Sequence, residues 1–183
     1  VSGLAHKLQS KQWMYLNGVI MVSPADYNTF TSDPLLSKAL FLPYYCATAW
    51  YHHQLTDVLQ EKSLEELLPE VEKFTIEKVI PAIAKGSSIS VEEKLKVAQK
   101  MAYYSGLKQS DIRDYNLQVP SSFFWKELLR ENSQTIGRLD SRYKGLDATD
   151  MGTSPDYNPE LTAWLQAFTP AINHYFHKDL NFN

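Results

Sequence analysis

The chain has 183 residues and a formal net charge of −3, and 44% of its residues are hydrophobic. This composition is typical of a globular domain with a core and excludes a disordered chain. The weak negative charge offers no basic surface for nucleic acid or for an anionic membrane, so we predict neither as a partner.

Cys46 is the only cysteine, so no disulfide can form within the chain. Its apolar neighbours predict a buried thiol. No apolar stretch reaches the roughly 20 residues that a membrane-spanning helix needs. The sequence begins Val1-Ser2-Gly3 without an initiator methionine, so we expect further residues upstream.

The first part of the sequence predicts one helix followed by one buried strand. Residues 2–10 are typical of the last turns of a helix. The stretch from Tyr15 to Val22 is almost continuously apolar, as in a strand buried on both faces of a parallel sheet. Pro24 ends it because proline cannot donate to a strand ladder. Since a lone strand is unstable, we expect its sheet outside this sequence, and we predict that Leu16–Val22 recruits another copy when unpaired.

Helices are predicted from Asp33 onward. Asp33 and Pro34 can cap and start a helix that breaks near Pro43, because proline pushes the residue before it out of the helical conformation. A second helix is predicted over residues 44–59, where aromatic and apolar side chains recur at helical spacing.

Two capping boxes mark the next helices. Ser63-Leu-Glu-Glu66 and Ser90-Val-Glu-Glu93 each place a serine three residues before a glutamate. The helix after the first box is expected to kink at Pro81 and to end at Gly86. The helix after the second is expected to end at Gly106, since glycine accepts the left-handed conformation of a helix end.

The rest of the sequence is less regular. Serine caps predict two short helices, over residues 111–115 and 123–131. Residues 133–157 show no sustained helical period and are interrupted by glycines, so short strands or a hairpin are expected there. Asn158-Pro159 then opens a final helix, which Pro170 is expected to break.

These elements divide the chain in two. Residues 1–32 hold a helix and a strand, and residues 33–183 form a helical domain with an irregular segment at 133–157. The predicted fold class is mainly α with a helix–strand stub. From the residues alone, an independent helical interaction domain remains the rival interpretation.

No group of residues in the sequence identifies a catalytic or metal site. A serine hydrolase on an α/β sheet would show Gly-x-Ser-x-Gly at a strand-to-helix turn, and that motif does not occur. His174 and His177 lie three residues apart but lack a third ligand at helical spacing. We therefore predict no catalytic residue, no metal and no cofactor in this chain.

Charged residues alternate at Arg138, Asp140 and Arg142. On a strand all three would share one face. A structural ion network is the preferred interpretation, and a clamp for a substrate carboxylate is the alternative.

Five stretches together resemble the bacterial branch of the serine carboxypeptidase family. Their order and rough spacing also fit, so the resemblance covers most of the chain. The stretches are Leu16-Asn-Gly-Val-Ile-Met-Val-Ser23, Leu42-Pro-Tyr-Tyr-Cys-Ala-Thr-Ala-Trp-Tyr-His52, Glu70-Val-Glu-Lys-Phe74, Val97-Ala-Gln-Lys-Met-Ala-Tyr-Tyr-Ser-Gly106 and Gly137-Arg-Leu-Asp-Ser-Arg-Tyr-Lys-Gly145.

The resemblance implies an α/β-hydrolase fold in which this chain is the helical cap, inserted over the active site after the nucleophile turn. It implies that the catalytic serine lies upstream, and that the aspartate and histidine follow the cap. All three then fall outside residues 1–183, and this segment is inert alone. The implied activity is release of C-terminal residues from peptides by an exported or periplasmic enzyme. A relative that has lost its catalytic residues is a further alternative.

Four aromatic residues are candidates to line the substrate pocket that the resemblance implies. They are Tyr44, Tyr45, Trp50 and Tyr51. For each of them, packing between cap helices is the alternative interpretation.

Overall fold

A computed structural model describes residues 2–20 and 34–182. The chain divides into two compact units, Val1–Ser32 and Asp33–Asn183. As the helical spacing and capping signals of the sequence predict, the fold is mainly helical, and the described residues add one small two-stranded sheet. Asp33, the predicted helix cap, lies outside the described residues.

In the first unit, helix α1 spans Ser2–Gln12, as predicted. The strand predicted after it is wrong over residues 15–20, which pair with no described strand, and Ile20 is 94% exposed. A strand forms only where a neighbour satisfies its backbone N–H and C=O groups, and here the described residues supply none. Met21 and Val22 lie outside the described residues. Residues 13–20, the apolar segment, therefore remain exposed without a regular partner.

The second unit contains helices of very different length. The α-helices are α2 (Pro34–Leu40), α3 (Leu42–Tyr51), α4 (Asp57–Gln60), α5 (Leu64–Phe74), α6 (Ile80–Ala84), α7 (Val91–Ser105), α8 (Gln109–Asp114), α9 (Ser121–Glu127) and α10 (Pro159–His174). Short π-helices span Thr75–Val79 and Tyr175–Asp179, and 3₁₀ turns span Gly86–Ser88 and Arg130–Asn132. No helix among these described residues is both long and apolar enough to cross a bilayer.

Capping chemistry fixes several helix ends as predicted. Ser63 and Glu66 form the full capping box of α5. Only half of the box predicted for α7 forms: the Ser90 hydroxyl accepts from the Glu93 N–H, and the Glu93 carboxylate pairs with Lys85 instead. Gly106 ends α7 in the left-handed conformation, with φ 72°. The serine caps predicted for α8 and α9 are wrong, since both helices begin earlier and lack a side-chain cap.

Two further helices end at positions that differ from the prediction. The predicted helix 44–59 ends at Tyr51, because His53 adopts a left-handed φ of 55° that turns the chain. The predicted break at Pro170 is absent, and α10 continues to His174. Proline leaves the carbonyl of Gln166 without its helical donor, but this part of α10 is exposed, so water can replace that donor.

The core of the second unit lies where α3 packs against α5 and α7. Cys46 is buried there, as predicted, and its burial raises the pKa of the thiol to about 12. Fully buried side chains of these three helices include Leu42, Ala49, Leu67, Val71, Ala98 and Tyr104. A thiol in this setting is an inert packing group rather than a nucleophile.

The irregular segment contains the hairpin that the sequence predicts. Strand β1 (Gln134–Ile136) pairs antiparallel with β2 (Lys144–Leu146), and Thr135 faces Gly145 across the ladder. Residues 137–143, the hairpin turn, join the two strands and approach α3.

A buried ion pair fastens the segment after the hairpin to α9. Lys126 Nζ lies 2.5 Å from Asp147 Oδ2, and both side chains are 2% exposed. Lys126 also donates to the Thr149 carbonyl, and Asp147 accepts from the Asp156 N–H at 2.9 Å. Burial alone would raise the pKa of Asp147, but the hydrogen bonds from Lys126 and Asp156 outweigh it and hold that pKa below its ordinary value.

We expect Asp147→Asn to lower the free energy of unfolding by about 3–5 kcal/mol, because the buried Lys126 ammonium loses its counter-charge. Urea denaturation followed by circular dichroism measures the change. The matched control is Asp114→Asn, whose carboxylate pairs with Arg113 on an exposed surface. We expect a much smaller change there, because water screens the exposed pair. Equal effects of the two substitutions would contradict this role for the buried pair.

Candidate functional site

The four aromatic candidates separate into two groups. Tyr45 is buried and stacks on Phe124 with ring centroids 4.1 Å apart, and its hydroxyl donates to the Val119 carbonyl at 3.1 Å. Trp50 packs beside the core and donates through Nε1 to the Lys62 carbonyl at 3.0 Å. These two residues pack the helices together, and neither lines the cleft described next. Their contacts fit the alternative interpretation, packing between helices.

Tyr44 and Tyr51 line a cleft between α3 and the hairpin turn. The cleft has a volume of about 260 Å³ and a mainly apolar wall. Leu64 closes it from the first turn of α5, and Arg142 stands at its edge on the hairpin turn. This cleft is the candidate functional site. The remaining lining residues are Ala47, Thr48 and Ser141.

A chain of hydrogen bonds joins α9, α3 and the hairpin turn behind the cleft. Trp125 Nε1 donates to the Tyr44 hydroxyl at 2.9 Å, and Tyr44 bonds the Ser141 hydroxyl. The Ser141 hydroxyl lies 2.9 Å from the carbonyl of Gly137, which can only accept. Ser141 therefore donates to Gly137, and Tyr44 donates to Ser141. This order fixes the Tyr44 ring at the wall of the cleft.

His52 adds a second link from the end of α3 to the same turn. Its Nε2 lies 2.6 Å from the Ser141 carbonyl, so Nε2 carries a proton and donates. Burial lowers the pKa of His52, the Ser141 carbonyl opposes that shift in part, and Lys144 and His53 lower it further. His52 is therefore a neutral donor at neutral pH, held edge-on to the Tyr51 ring at 5.1 Å.

The charged triplet lies in the hairpin turn and not on a strand, so the expected common face is not formed. Arg142 Nε and Nη2 donate to the two oxygens of Asp140 at 2.9 and 2.7 Å. This pair lowers the pKa of Asp140 and raises that of Arg142. Arg138 is exposed and takes no part in the pair. Asp140 therefore orients the Arg142 guanidinium at the edge of the cleft.

Glu160, in the first turn of α10, holds the hairpin turn from a position C-terminal to the hairpin. It is completely buried, and its Oε1 accepts from the Leu139 N–H at 2.8 Å. Its Oε2 has no hydrogen-bond partner among the described residues. A Cβ on Gly137 would overlap that Oε2 and the carbonyl oxygen of Asp140, so only glycine fits at the start of the turn.

Sequence patterns gave no signal for most of these contacts. Ser141, Trp125 and Glu160 each meet a partner far away along the chain. Glu160 follows Pro159 at a helix start, where an acidic residue is usually solvated and favourable to the helix dipole. The one usable signal was Gly137, since a glycine entering a short turn often marks close backbone approach.

Two histidines lie on the last helical stretch. His174 ends α10, and His177 lies in the π-helix that follows. No group of three His, Cys, Asp or Glu side chains suited to a metal ion occurs within residues 2–20 and 34–182.

Comparison with known proteins adds no relative. No protein-family model, no curated protein and no solved structure matches the chain. The resemblance to serine carboxypeptidases therefore remains a prediction from the sequence.

The lowered pKa of His52 predicts a pH-dependent stability. Its unfolded-state pKa is about 6.5, so the unfolded chain binds more protons between that value and the lower folded pKa. The stabilisation is complete above about pH 6.5, and the free energy of unfolding falls as the pH drops below it. Urea unfolding at a series of pH values, with NMR titration of the imidazole, measures both quantities.

His52→Gln keeps a donor for the Ser141 carbonyl without the titration, so we expect its stability to depend less on pH over this range. The control is His174→Gln, which removes an exposed histidine of α10 and leaves His52 and its neighbours unchanged. A His52 pKa at or above 6.5 would contradict the assignment.

Proposed function

We propose that this chain is the cap-containing part of a serine carboxypeptidase-like enzyme with the α/β-hydrolase fold. In this proposal the sheet and the catalytic serine, aspartate and histidine lie outside residues 1–183. The cap narrows entry to the C-terminal end of a peptide, and the cleft between α3 and the hairpin turn receives a side chain of that peptide.

The observation that carries the proposal is the contact between two stretches of the family resemblance. One stretch forms α3 and the turn after it, and the other forms the hairpin turn. His52 of the first stretch and Ser141 of the second are 89 positions apart in the sequence. They meet through Tyr44 and His52, which both bind Ser141. A binding cleft is lined by residues that the fold brings together, and these two separated stretches line one cleft.

The chemistry of the cleft suits a peptide end. The rings of Tyr44 and Tyr51 and the Leu64 side chain offer apolar surface to a substrate side chain. Arg142 uses Nε and Nη2 on Asp140, and its Nη1 has no partner among the described residues. That N–H group is available at the edge of the cleft to a carboxylate oxygen.

The apolar segment also supports the proposal. Residues 13–20 are apolar and exposed, and no described strand pairs with them. In a complete α/β-hydrolase, neighbouring strands of the sheet would cover such a stretch. In their absence a second copy of the chain is the expected cover, which is the self-association that the sequence predicts.

The proposed reaction is acyl transfer to a serine. The hydroxyl attacks the carbonyl of the last peptide bond, histidine takes its proton and returns one to the departing amino acid, and backbone amides stabilise the oxyanion. Water then releases the shortened peptide. None of these groups is assigned to residues 1–183.

An interaction domain without catalysis is the second candidate, and one observation favours it. The last helical stretch exposes an apolar face along α10 and the π-helix after it. Its members are Leu165, Phe168, Ile172, Tyr175, Phe176 and Leu180. Such a face fits a docking surface on a binding module as well as a surface covered by the rest of an enzyme.

The test of the proposed activity is covalent labelling of the polypeptide extended at both ends as its gene encodes it. A fluorophosphonate traps activated serines, and peptide mass spectrometry identifies the labelled residue. We expect one labelled serine upstream of Val1 and none in residues 1–183. A folded extended protein without a labelled serine would contradict the enzyme and favour the interaction domain or a non-catalytic relative.

A further inference from the structure

A second and larger cavity lies in the second unit, between α6, the 3₁₀ turn Gly86–Ser88, α7 and α8. Its volume is about 590 Å³, which is within the range of small-molecule sites. Aliphatic side chains form most of its wall, among them Ile83, Ile89, Leu95 and Leu117. None of the residues of the α3 cleft lines this cavity, so it is a separate site.

The cavity wall carries a net positive charge, because Lys94 and Arg113 both line it, whereas Asp114, which pairs with Arg113 and also attracts Lys94, supplies one negative charge. Lys94 lines it from α7 and donates to the neutral Asn116 side-chain oxygen at 2.6 Å. Among the described residues Lys94 forms no ion pair. Arg113 also lines the cavity, but its guanidinium is paired with Asp114 at 2.8 Å. Lys94, Arg113 and Asp114 together leave one positive charge beside the apolar wall.

The backbone after α8 holds this arrangement in place. Asn116 and Leu117 both adopt positive φ, 52° and 67°. A leucine rarely occupies that region, so its surroundings must stabilise it there. The turn directs the Asn116 amide to Lys94 and buries Leu117 in the cavity wall, where its side chain is 2% exposed. The charged group and the apolar wall are thus positioned by the same two residues.

We propose that this cavity binds a small amphipathic monocarboxylate, with its aliphatic or aromatic body against the apolar wall and its carboxylate on Lys94. The carboxylate oxygen accepts from the ammonium in place of, or beside, the Asn116 amide. An uncharged analogue retains only the apolar contact, and a cationic analogue is repelled. The inference does not depend on the peptidase proposal, because it concerns a different set of residues.

The experiment compares three probes of equal chain length on the 183-residue chain: octanoate, octanol and octylammonium. Calorimetric titration at neutral pH gives the affinities, and methyl NMR locates the site. We expect octanoate to bind most tightly and octylammonium not to bind. We also expect octanoate to shift the methyl signals of Ile83, Ile89 and Leu95.

Lys94→Gln removes the charge and keeps a side chain that can bond Asn116. We expect it to weaken octanoate roughly five- to tenfold and to leave octanol unchanged. The matched control is Lys96→Gln on the same helix, since Lys96 pairs with Glu92 and does not line the cavity. We expect its affinities to equal those of the unaltered chain.

Three results would overturn the proposal. They are absence of saturable octanoate binding, equal affinity for octanoate and octanol with no effect of Lys94→Gln, and methyl shifts confined to the exposed face of α10. The fluorophosphonate result bears on none of them, so the two proposals fail separately.

Discussion

The cleft exists because the hairpin turn is held against α3. Leu139, the aliphatic residue of this turn, is 56% exposed, and hydrogen bonds from α3 and α10 position the turn. Tyr44 and His52 hold Ser141 from the side of α3, and Glu160 holds the Leu139 N–H from α10. These contacts lie partly out of water, where an unsatisfied donor or acceptor costs about 1–3 kcal/mol. The turn is therefore confined to one position, and Arg142 on it is confined to the edge of the cleft.

The same restraint explains two residues that look out of place. Gly137 has no side chain because Glu160 and the Asp140 carbonyl occupy the space that a Cβ would need. Glu160 is buried at a helix start, where carboxylates are usually solvated, and half of its bonding capacity is unused. Both residues serve to hold the hairpin turn in place: Gly137 leaves room for Glu160, and Glu160 bonds the turn. An arrangement that leaves a buried carboxylate oxygen unpaired is more typical of a functional constraint than of optimised stability.

Local chemistry made much of the fold predictable from sequence. The Ser63–Glu66 box, the Gly106 helix end and the hairpin around Gly137–Gly145 all depend on residues near one another in the chain. Predictions failed where distant contacts or solvent determine the local structure. Helix α3 stops before a left-handed His53, and α10 continues through Pro170. Residues 15–20 have no strand partner among the described residues. The candidate site was half predicted, because Tyr44 and Tyr51 line the cleft, whereas Tyr45 and Trp50 pack the helices. No residue near Ser141 in the sequence indicates that it bonds α3, and none near Glu160 indicates that it bonds the hairpin turn.

The most direct test of this account is a double-mutant cycle on Tyr44 and Ser141. The free energy of unfolding would be measured for Tyr44→Phe, Ser141→Ala and the double variant. The matched second cycle uses Tyr103→Phe and Ser141→Ala, because Tyr103 lies on α7 and does not line the cleft. The account predicts a coupling energy of about 0.5–3 kcal/mol for the first cycle and additivity within about 0.5 kcal/mol for the second. Additive effects in the first cycle would mean that Tyr44 does not hold the hairpin turn, and the cleft would lose its physical basis.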